Sequence, residues 1–265
     1  MEFEGRHAAV TGAGTGIGRA IALRLASEGA QVSLIGRRGA PLRETAALAA
    51  IEGAPLGIFP GDVCDAASIA GALGAAVDGV GPLDILVANA GIGGANGPGF
   101  QADGDPDRFG ELVQTNLSGT YHTFRAAIPL LRPADSGQGA PHLVAISSIL
   151  ARIGVAGYSG YCASKAGITG LVRAMAMELA PKAIQVNAVA PGWVDTDMAQ
   201  EGIDGMATGL GISSKEALAL AMQDVPLGRM GRPEEIAGLV KWLVSADARG
   251  VTGQTLDMNG GAYMI

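Results

Sequence analysis

Short apolar segments alternate with longer helical stretches along nearly the whole chain, and this alternation constrains the fold more than any other feature. Ala8–Thr11, Gln31–Ile35 and Leu83–Ala88 are typical of buried strands. Such strands, when separated by helices, form a parallel sheet that is covered by helices on both faces. Because crossovers between parallel strands are right-handed, the expected class is α/β with a doubly wound parallel sheet.

The same pattern predicts the bounds of the remaining elements. Further strands are predicted at Leu56–Phe59, His142–Ser147, Ile184–Ala188 and Thr255–Met258. Helices are predicted at Gly16–Glu28, Ala40–Ile51, Ala66–Val80, Asp107–Leu131, Tyr158–Leu179 and Pro233–Val244. No linker rich in serine and proline divides these elements, so residues 1–265 are expected to form one domain.

Two segments interrupt the alternation. Gly91–Gly104 is rich in glycine and is expected to be a loop. The segment Trp193–Pro226 carries large apolar side chains between glycines, and we expect a partly helical insertion with an apolar inner face. A segment of this kind after a strand end is typical of a lid, which we place at about 193–226. The apolar residues of its inner face are Met198, Met206, Leu210, Ile212 and Met222.

The charge balance argues against two classes of partner. The chain has 18 lysines and arginines against 25 aspartates and glutamates, which gives a formal net charge of −7. Nucleic-acid grooves and patches for anionic membranes need a basic surface, so neither partner is expected. Charged residues make up 16% of the chain, against about 25% in typical soluble domains. A surface with so little charge favours self-association.

The sequence also lacks the usual targeting and redox signals. No apolar run reaches the ~18 residues that a membrane helix needs. The first residues, Met1–Arg6, show no apolar signal region. Cys64 and Cys162 are the two cysteines, so no disulfide framework is implied and a reducing cytoplasm is the expected compartment.

A glycine-rich turn follows the first predicted strand and leads into the first predicted helix. Small residues let the backbone approach a pyrophosphate, and the helix N-terminus supplies amide groups and the positive end of a dipole. We interpret the segment as a dinucleotide-binding turn; a plain tight turn is the alternative, since turns use glycine in any case. The predicted phosphate-binding residues are Gly12, Gly14, Thr15, Gly16, Ile17 and Gly18.

The end of the second predicted strand bears on which nicotinamide cofactor is bound. Dinucleotide-binding folds place an acidic residue here for the ribose hydroxyls, whereas an arginine accommodates a 2′-phosphate. Gly36 occupies the acidic position, and Arg37 and Arg38 follow it. An arginine fork binds a phosphate that a carboxylate would repel, so NADP(H) is predicted, with NAD as the second choice. Two solvated arginines that cap the strand are the alternative.

Two further strand ends carry candidate cofactor contacts. Asp62 could accept a hydrogen bond from the adenine amino group, with Val63 beside the ring. An aspartate that only turns the chain into a helix is the alternative. Asn89, Ala90 and Gly91 follow the fourth predicted strand and form either a turn on the cofactor side or a left-handed cap.

Tyr161 and Lys165 are four positions apart in a predicted helix, so both side chains lie on one face. A phenol with its ordinary pKa of ~10 is a poor acid–base catalyst at neutral pH. An ammonium ~4 Å away contributes about 4 kcal/mol at an effective dielectric constant of ~20, which corresponds to about 3 pKa units. We therefore predict that Lys165 lowers the pKa of Tyr161 toward ~7 unless desolvation cancels the effect.

Ser148 precedes this pair by thirteen positions and could donate a hydrogen bond to the same substrate oxygen. An isolated tyrosine–lysine pair of this spacing occurs by chance in amphipathic helices. The pair becomes far more specific when Ser148 precedes it and a nucleotide turn begins the chain.

Together these motifs resemble those of the short-chain dehydrogenase/reductase family over essentially the whole chain. One departure is Ala88, where many members have an asparagine. The resemblance implies a single-domain, Rossmann-like fold with a sheet of about seven strands. The matching residues are Thr11–Gly18, Asp62, Val63, Asn89–Gly91, Asn116, Ser148, Tyr161, Lys165, Pro191, Gly192 and Thr196.

The resemblance also implies roles for these residues. Tyr161 is expected to be the general acid–base, and Ser148 to position the substrate oxygen. Lys165 is expected to bind the nicotinamide ribose and to lower the phenol pKa, and Asn116 to hold a proton-relay water. The residues expected at the carboxamide end of the nicotinamide are Pro191, Gly192, Val194 and Thr196.

The predicted function is that of an NADPH-dependent oxidoreductase that transfers hydride between nicotinamide and a ketone or secondary alcohol. The C-terminal part of the chain, Pro226–Gly261, resembles that of 3-oxoacyl-thioester reductases, so such a thioester or a similar apolar ketone is the expected substrate. Alternatives are a catabolic dehydrogenase of a secondary or cyclic alcohol, and a non-catalytic NADP-binding sensor or scaffold. The resemblance further implies a homotetramer that packs through Asp107–Leu131, Tyr158–Leu179 and the C-terminal strand.

Other candidate side chains carry no chemistry in this interpretation. His7, His122 and His142 lack carboxylate or cysteine neighbours at the spacing of a metal site or a triad, so they are expected to pack or face solvent and no metal is predicted. Tyr158 is a rival phenol, but Lys165 lies two helical turns from it. Cys162 is expected to point away from the Tyr161 face.

Overall fold

Seven parallel strands form one sheet in the computed structural model, which describes residues 1–51, 56–97, 107–137 and 139–264. The strands are β1 (His7–Thr11), β2 (Gln31–Gly36), β3 (Gly57–Pro60), β4 (Ile85–Ala88), β5 (His142–Ile146), β6 (Gln185–Pro191) and β7 (Thr255–Met258). Their order across the sheet is β3-β2-β1-β4-β5-β6-β7. This arrangement confirms the predicted doubly wound parallel sheet.

Helices cover both faces of the sheet. They are α1 (Gly16–Ser27), α2 (Gly39–Ile51), α3 (Ala66–Val80), α4 (Phe109–Val113), α5 (Gly119–Ala127), α6 (Ser159–Leu179), α7 (Asp197–Leu210), α8 (Ser214–Gln223) and α9 (Pro233–Leu243). On one face, Leu25 of α1 and Val240 of α9 are buried against the sheet. On the other, Leu73 of α3, Phe124 of α5 and Ile168 of α6 are buried. Burial of each such side chain contributes about 1.5–3 kcal/mol, so both faces hold the strands in place.

The order of the strands reverses between β1 and β4. From β1 the chain proceeds outward to β2 and β3, and from β4 it proceeds outward in the opposite direction to β7. In open α/β sheets, ligands bind in the crevice beyond the carboxyl ends of the strands at such a reversal. The glycine-rich turn after β1 and the residues after β4 both lie at this point.

The prediction of one long helix over Asp107–Leu131 is wrong in detail. The helical path consists of α4, a π-helical turn over Gln114–Ser118, α5 and a final 3-10 turn over Ile128–Leu130. A π turn accommodates an extra residue within a helix, and such turns are frequent at functional sites. Here it contains Asn116, whose side chain is bound by another loop rather than facing solvent.

Two strand bounds also differ from the prediction. β6 extends to Pro191 rather than Ala188, because Ala188–Pro191 pair with β7. β4 begins at Ile85 rather than Leu83, because Leu83 forms an isolated bridge with Leu131 instead of joining the sheet. In both cases the neighbouring segment decides where the strand begins or ends.

The insertion is helical, as predicted, and consists mainly of α7 and α8. These helices bury their own small apolar cluster around Ile203 and Ala217. Met206, Ile212 and Met222 pack against that cluster, as expected for an inner face. Met198 and Leu210 do not join that cluster, and their side chains are 43% and 55% exposed: Met198 lies on the other side of α7, next to Gly93, and Leu210 is the last residue of the helix.

The predicted glycine-rich loop Gly91–Gly104 is described only as far as Gly97, and there it has no regular secondary structure. Its remaining residues lie outside the described ranges. Among the helices of those ranges, none combines the length and apolar character that crossing a membrane requires.

Candidate active site

The turn after β1 is held by hydrogen bonds from the end of β4. The Thr11 hydroxyl accepts hydrogen bonds from the backbone amides of Asn89 and Ala90, each at 3.1 Å. The Asn89 side-chain amide donates to the carbonyls of Thr11 and Gly12 at 3.0 and 3.3 Å. Asn89 therefore fixes the shape of the turn from a neighbouring strand, and its amide is directed at protein backbone.

Two glycines make this close approach sterically possible. Gly12 has a φ of +66°, and a Cβ there would lie 2.9 Å from the Ala90 Cα. A Cβ at Gly18 would lie 2.3 Å from the Gly12 carbonyl oxygen. A larger residue at Gly12 would force the turn away from the end of β4, and one at Gly18 would force α1 away from the turn, so the glycines serve close packing as well as conformation.

The N-terminus of α1 offers donors to an anion. Thr15 is the N-cap residue, is exposed, and makes no side-chain cap hydrogen bond. The first amides of a helix have no partner within the helix and carry the positive end of its dipole. Arg19 is already engaged, because its side chain donates to the Gly14 carbonyl at 2.6 Å and pairs with Glu44. The small residues and free helix end fit a pyrophosphate.

The end of β2 carries two exposed arginines and no acidic side chain. Gly36 ends the strand, and a Cβ there would meet Leu42 at an ordinary contact distance of 3.5 Å. Arg37 and Arg38 follow and are exposed. Because β1 and β2 are paired in parallel, the end of β2 lies beside the glycine turn that follows β1, and the charge of both arginines lies there too. This surface fits a phosphate on the adenosine ribose.

Asp62 lies at the end of β3 and pairs with Arg37. Its Oδ2 atom is 3.9 Å from the Arg37 guanidinium, and its Oδ1 atom accepts the Cys64 amide at 2.9 Å. Val63 is buried against Gly119 of α5. Asp62 therefore shapes the turn that leads into α3, which was the alternative to a contact with adenine. Its other oxygen faces Arg37.

Tyr161 and Lys165 lie on one face of α6, as predicted from their spacing. The Lys165 ammonium is buried, donates to the Ile146 carbonyl at 2.9 Å, and lies 5.6 Å from the centroid of the Tyr161 ring. Gly91 borders it from the β4 side, since a Cβ there would lie 3.6 Å from Lys165 Nζ. The ends of β4 and β5 thus meet α6 at this lysine.

Ser148 follows β5 and faces Tyr161. Its hydroxyl accepts the Leu150 amide at 3.2 Å, which caps a short 3-10 turn, and it lies near enough to the Tyr161 phenol to lower the pKa of that phenol. The structure therefore brings together Ser148, Tyr161 and Lys165, which the sequence analysis had linked. A substrate oxygen beside Ser148 and Tyr161 would meet two hydroxyl groups.

Desolvation decides the pKa values of this pair. Burial raises the pKa of the Tyr161 phenol above its ordinary value, and the nearby Ser148 hydroxyl opposes that rise. Burial also lowers the pKa of Lys165 to about 8. The exception attached to the predicted decrease for Tyr161 therefore applies: desolvation cancels the effect of Lys165, whose ammonium is held against the Ile146 carbonyl.

Asn116 is fully buried in the π turn and bridges three segments. Its Oδ1 atom accepts the Ile92 amide at 2.8 Å, and its Nδ2 atom donates to the Ile92 carbonyl at 3.0 Å and to Ser164 at 3.2 Å. The Ser164 hydroxyl in turn donates to the Tyr161 carbonyl at 2.8 Å. Asn116 therefore connects the loop after β4 with the first turns of α6.

Two serines in this network were not predicted. Ser164 links Asn116 to Tyr161, and its spacing from Tyr161 on the helix was the available signal. Ser147 donates to the Lys165 carbonyl at 2.9 Å and so fastens the end of β5 to α6. The sequence showed Ser147 beside Ser148, but only the pairing of β5 with α6 reveals its partner.

The segment from Pro191 to Thr196 borders the glycine turn. The Gly192 amide donates to Met258 of β7 at 3.0 Å, and Val194 forms a bridge with Gly231. Thr196 caps α7, since its hydroxyl accepts the Ala199 amide at 3.3 Å. Its methyl group lies 3.1 Å from where a Gly16 Cβ would be, so the insertion begins in contact with the glycine turn.

The three histidines lie apart from this cluster, whereas Tyr158 and Cys162 lie close to Tyr161 on α6. His7 and His142 are buried at the opposite end of the sheet, and His122 binds the Val63 carbonyl at 3.1 Å. No group of three metal-ligating side chains occurs in the described ranges. Tyr158 is the N-cap residue of α6, and Cys162 is partly buried with its sulfur 3.8 Å from the Ile153 carbonyl.

Comparison with known proteins finds reductases of similar sequence and similar fold. A family profile described as enoyl-(acyl carrier protein) reductase matches residues 12–263. The chain is 39% identical to the 3-oxoacyl-(acyl-carrier-protein) reductase FabG of Pseudomonas aeruginosa and 36% identical to that of Escherichia coli, over 100% of each chain. A variant of actinorhodin polyketide ketoreductase solved with NADPH has a TM-score of 0.88 and 34% identity over 97% of each chain. Levodione reductase has a TM-score of 0.87 and 31% identity over 98% of each chain.

Proposed function

This chain belongs to the short-chain dehydrogenase/reductase family, whose oxidoreductases act on carbonyl and alcohol groups, and from that premise we propose that it reduces a 3-oxoacyl thioester or a similar apolar ketone with NADPH. The observation that carries the proposal is the meeting of Ser148, Tyr161 and Lys165 at the carboxyl ends of the strands, beside the glycine turn. NADPH supplies the hydride when bound.

Tyr161 and Ser148 stabilise the charge that develops on the substrate oxygen. As hydride reaches the carbonyl carbon, negative charge forms on the oxygen, and Tyr161 donates its proton there while Ser148 donates a hydrogen bond. Two hydroxyl groups that already lie near each other are preorganised for one acceptor. The raised pKa of Tyr161 means that the phenol holds its proton at neutral pH, as a general acid for reduction must.

Lys165 and Asn116 support this step from behind. Lys165 would hold the ribose hydroxyls of the nicotinamide half, and a charged ammonium favours the phenolate that remains after proton transfer. With a pKa near 8, Lys165 is mostly charged at neutral pH. Asn116 would hold the relay water at the π turn. Gly91 lies between its Oδ1 atom and Lys165 Nζ, since a Cβ at Gly91 would be 2.9 Å from the first atom and 3.6 Å from the second. Pro191, Gly192, Val194 and Thr196 would border the carboxamide.

NADPH is proposed as the preferred cofactor because of the end of β2. Gly36 leaves room where an acidic side chain would bind ribose hydroxyls, and Arg37 and Arg38 are exposed beside it. Arg37 is held only loosely by Asp62 at 3.9 Å, so its guanidinium is available to a phosphate. The likeness to a ketoreductase solved with NADPH supports the same choice.

The substrate class is proposed from the relatives and from the insertion. The relatives named above act on 3-oxoacyl groups of acyl-carrier protein. The insertion, which we propose as the lid, supplies an apolar wall: Met198 packs against Gly93 of the loop after β4. A free ketone is the second candidate, supported by the likeness to levodione reductase. The family description also names enoyl reductases, which makes an enoyl thioester a necessary comparison.

A substrate panel with both cofactors tests the proposal. Acetoacetyl, crotonyl and cyclic-ketone substrates would be incubated with NADPH or NADH, and cofactor oxidation followed by absorbance. We expect the highest kcat/KM with the acetoacetyl thioester and NADPH. Turnover of the crotonyl thioester alone would show C=C reduction instead, and cofactor binding without turnover of any substrate would support the sensor or scaffold alternative.

We also propose self-association as a homotetramer. Large apolar side chains stay exposed on the helices that the sequence analysis assigned to packing between subunits, including Tyr121 on α5 and Met177 on α6, which is 80% exposed. Burial of such side chains between subunits would stabilise an oligomer. Sedimentation at micromolar concentration checks this, and a monomer would contradict it. The free thiols of Cys64 and Cys162 are compatible with the expected reducing cytoplasm.

A further inference from the structure

Asn96 lies in the loop after β4 and binds the start of α6 through both ends of its side-chain amide. Its Oδ1 atom accepts the Gly160 backbone amide at 2.8 Å, and its Nδ2 atom donates to the Ser159 hydroxyl at 3.1 Å. Its own backbone amide donates to the Gly157 carbonyl at 2.8 Å. These hydrogen bonds therefore join one loop residue to three of the four positions that precede Tyr161.

Helix α6 needs this contact because it begins without a cap of its own. Tyr158 occupies the N-cap position and makes no side-chain cap hydrogen bond. The first amides of a helix have no acceptor within the helix, and asparagine is among the side chains that best supply one. Asn96 takes this role from a segment 64 positions away in the chain.

The contact reaches a second helix as well. Gly160 is pressed against α4, since a Cβ there would lie 3.0 Å from the Phe109 Cα. Asp107 caps α4 by accepting the Phe109 amide at 2.9 Å, and the same Asp107 oxygen is 3.5 Å from Asn96 Nδ2. Asn96 thus lies between the starts of the two helical paths that carry Asn116 and Tyr161.

We propose that Asn96 is a positioning residue: by capping α6 at Gly160 it holds the first turn of that helix, and with it the Tyr161 phenol, in place against Ser148. Asn96 does not touch the reacting atoms. The inference rests on the proposed function, because the position of the Tyr161 phenol matters only if Tyr161 donates the proton. The capping of α6 by Asn96 can be measured without any substrate.

Asn96→Ala removes the acceptor and tests both halves. We expect kcat to fall about fivefold to tenfold, because a loosened first turn misplaces the proton donor. The Kd of NADPH should stay within about twofold, since the glycine turn and Arg37 are untouched. Hydrogen exchange of the peptide containing Gly160 should become faster, while that of the β1–α1 turn should not change.

Two variants separate capping from general damage. Ser159→Ala removes the Nδ2 contact but leaves the Oδ1–Gly160 hydrogen bond, and is expected to retain kcat within about twofold. Asn96→Asp combined with Asp107→Asn keeps an acceptor for both the Gly160 and Phe109 amides and conserves the net charge, so it should restore most of the kcat that Asn96→Ala loses. Asn96→Gln, which moves the acceptor by one carbon, serves if the alanine variant does not fold.

The outcomes distinguish this inference from the proposed function. If the unmodified protein reduces no ketone, the proposed function fails, and hydrogen exchange at Gly160 still decides whether Asn96 caps α6. If the unmodified protein is active and Asn96→Ala keeps its kcat, the positioning role is overturned. Unchanged exchange at Gly160, or a double variant no more active than Asn96→Ala, would overturn it equally.

Discussion

Both ends of the sheet hold buried titratable groups. Those at the amino ends are paired with other protein groups, whereas those at the carboxyl ends form the candidate active site. At the amino ends of β1, β4 and β5, the carboxylate of Asp84 is 2% exposed, accepts the His7 amide at 2.8 Å and forms a bidentate ion pair with Arg132. His7 has a protein partner on each ring nitrogen, at 2.7 and 2.8 Å. At the carboxyl ends, Ser148 and Lys165 make their hydrogen bonds to backbone groups, and both lie close to the Tyr161 phenol or ring.

This difference shows that burial and a shifted pKa do not identify an active site on their own. Burial lowers the pKa of His7 and of His142, just as it shifts those of Tyr161 and Lys165. A cavity of about 470 Å³ even lies near the amino ends, lined by Arg132, Asp135 and Lys182 among others. What distinguishes the carboxyl ends is the order reversal of the strands, together with glycines that leave room beside the polar groups.

The largest expected effect separates chemistry from stability at the carboxyl ends. Tyr161→Phe removes the proton donor and keeps the ring, so kcat should fall by about 10²–10⁴-fold. The Kd of NADPH and the midpoint of thermal unfolding should stay close to those of the unmodified protein. Comparable turnover in the variant, measured by NADPH absorbance, would remove Tyr161 from the mechanism.

A substitution at the amino ends should lower stability and leave activity unchanged. Asp84→Asn leaves Arg132 without its anion and places an amide donor against the His7 amide, so unfolding free energy should fall by about 2–3 kcal/mol. Urea unfolding measures the loss, and kcat/KM at low temperature should be unchanged. A large loss of activity in the folded variant would contradict the separation of the two ends.

His142 makes the amino ends sensitive to acid. Burial, and secondly the charge of Arg6, lower its pKa to about 3, whereas the unfolded chain titrates near ~6.5. Between these values the unfolded state binds more protons, so stability is present above about pH 6.5 and is lost as pH falls toward about 3. At pH 5 the loss is about 2 kcal/mol by this linkage.

His142→Gln tests that contribution, because glutamine does not titrate. In urea unfolding, the variant should lose less stability between pH 7 and pH 5 than the unmodified protein. The contacts of Asn96 and Tyr161 at the other end of the sheet should not change. His7 stays as a second buried histidine and keeps part of the dependence. An identical pH profile in both proteins would show that His142 is protonated without cost.

The smallest expected effect concerns cofactor choice at the end of β2. Gly36→Asp with Arg37→Ala replaces a phosphate site by a ribose-hydroxyl acceptor, and the Leu42 contact at 3.5 Å leaves space for the new side chain. The ratio of kcat/KM for NADPH to that for NADH should fall about tenfold or more. Arg249→Ala, which removes an exposed arginine outside the proposed phosphate site, is the control for loss of charge, and an unchanged ratio in the double variant would refute the phosphate assignment.

Local features of the sequence were sufficient for much of this protein. The alternation of apolar strands and helices predicted the sheet, because burial on both faces leaves a direct mark on composition. The Tyr161–Lys165 spacing is contained within one helix, so neighbouring residues determine that both side chains lie on one face. The glycine turn could be recognised from its own residues, although Asn89 of a distant segment holds its shape. The exposure of Met198 and Leu210 was missed because the sequence does not say which parts of a helix meet the rest of the protein.

The tertiary structure decided everything that depends on contacts between distant segments. The π turn around Asn116, the cap that Asn96 places on α6 and the serines that link Asn116 and β5 to α6 join positions far apart in the chain. The direction of the Tyr161 pKa also belongs here, since desolvation depends on all the atoms packed around the phenol. The chain thus encodes its chemistry in short-range patterns, and packing determines how its reactive groups are oriented and how strongly each holds its proton.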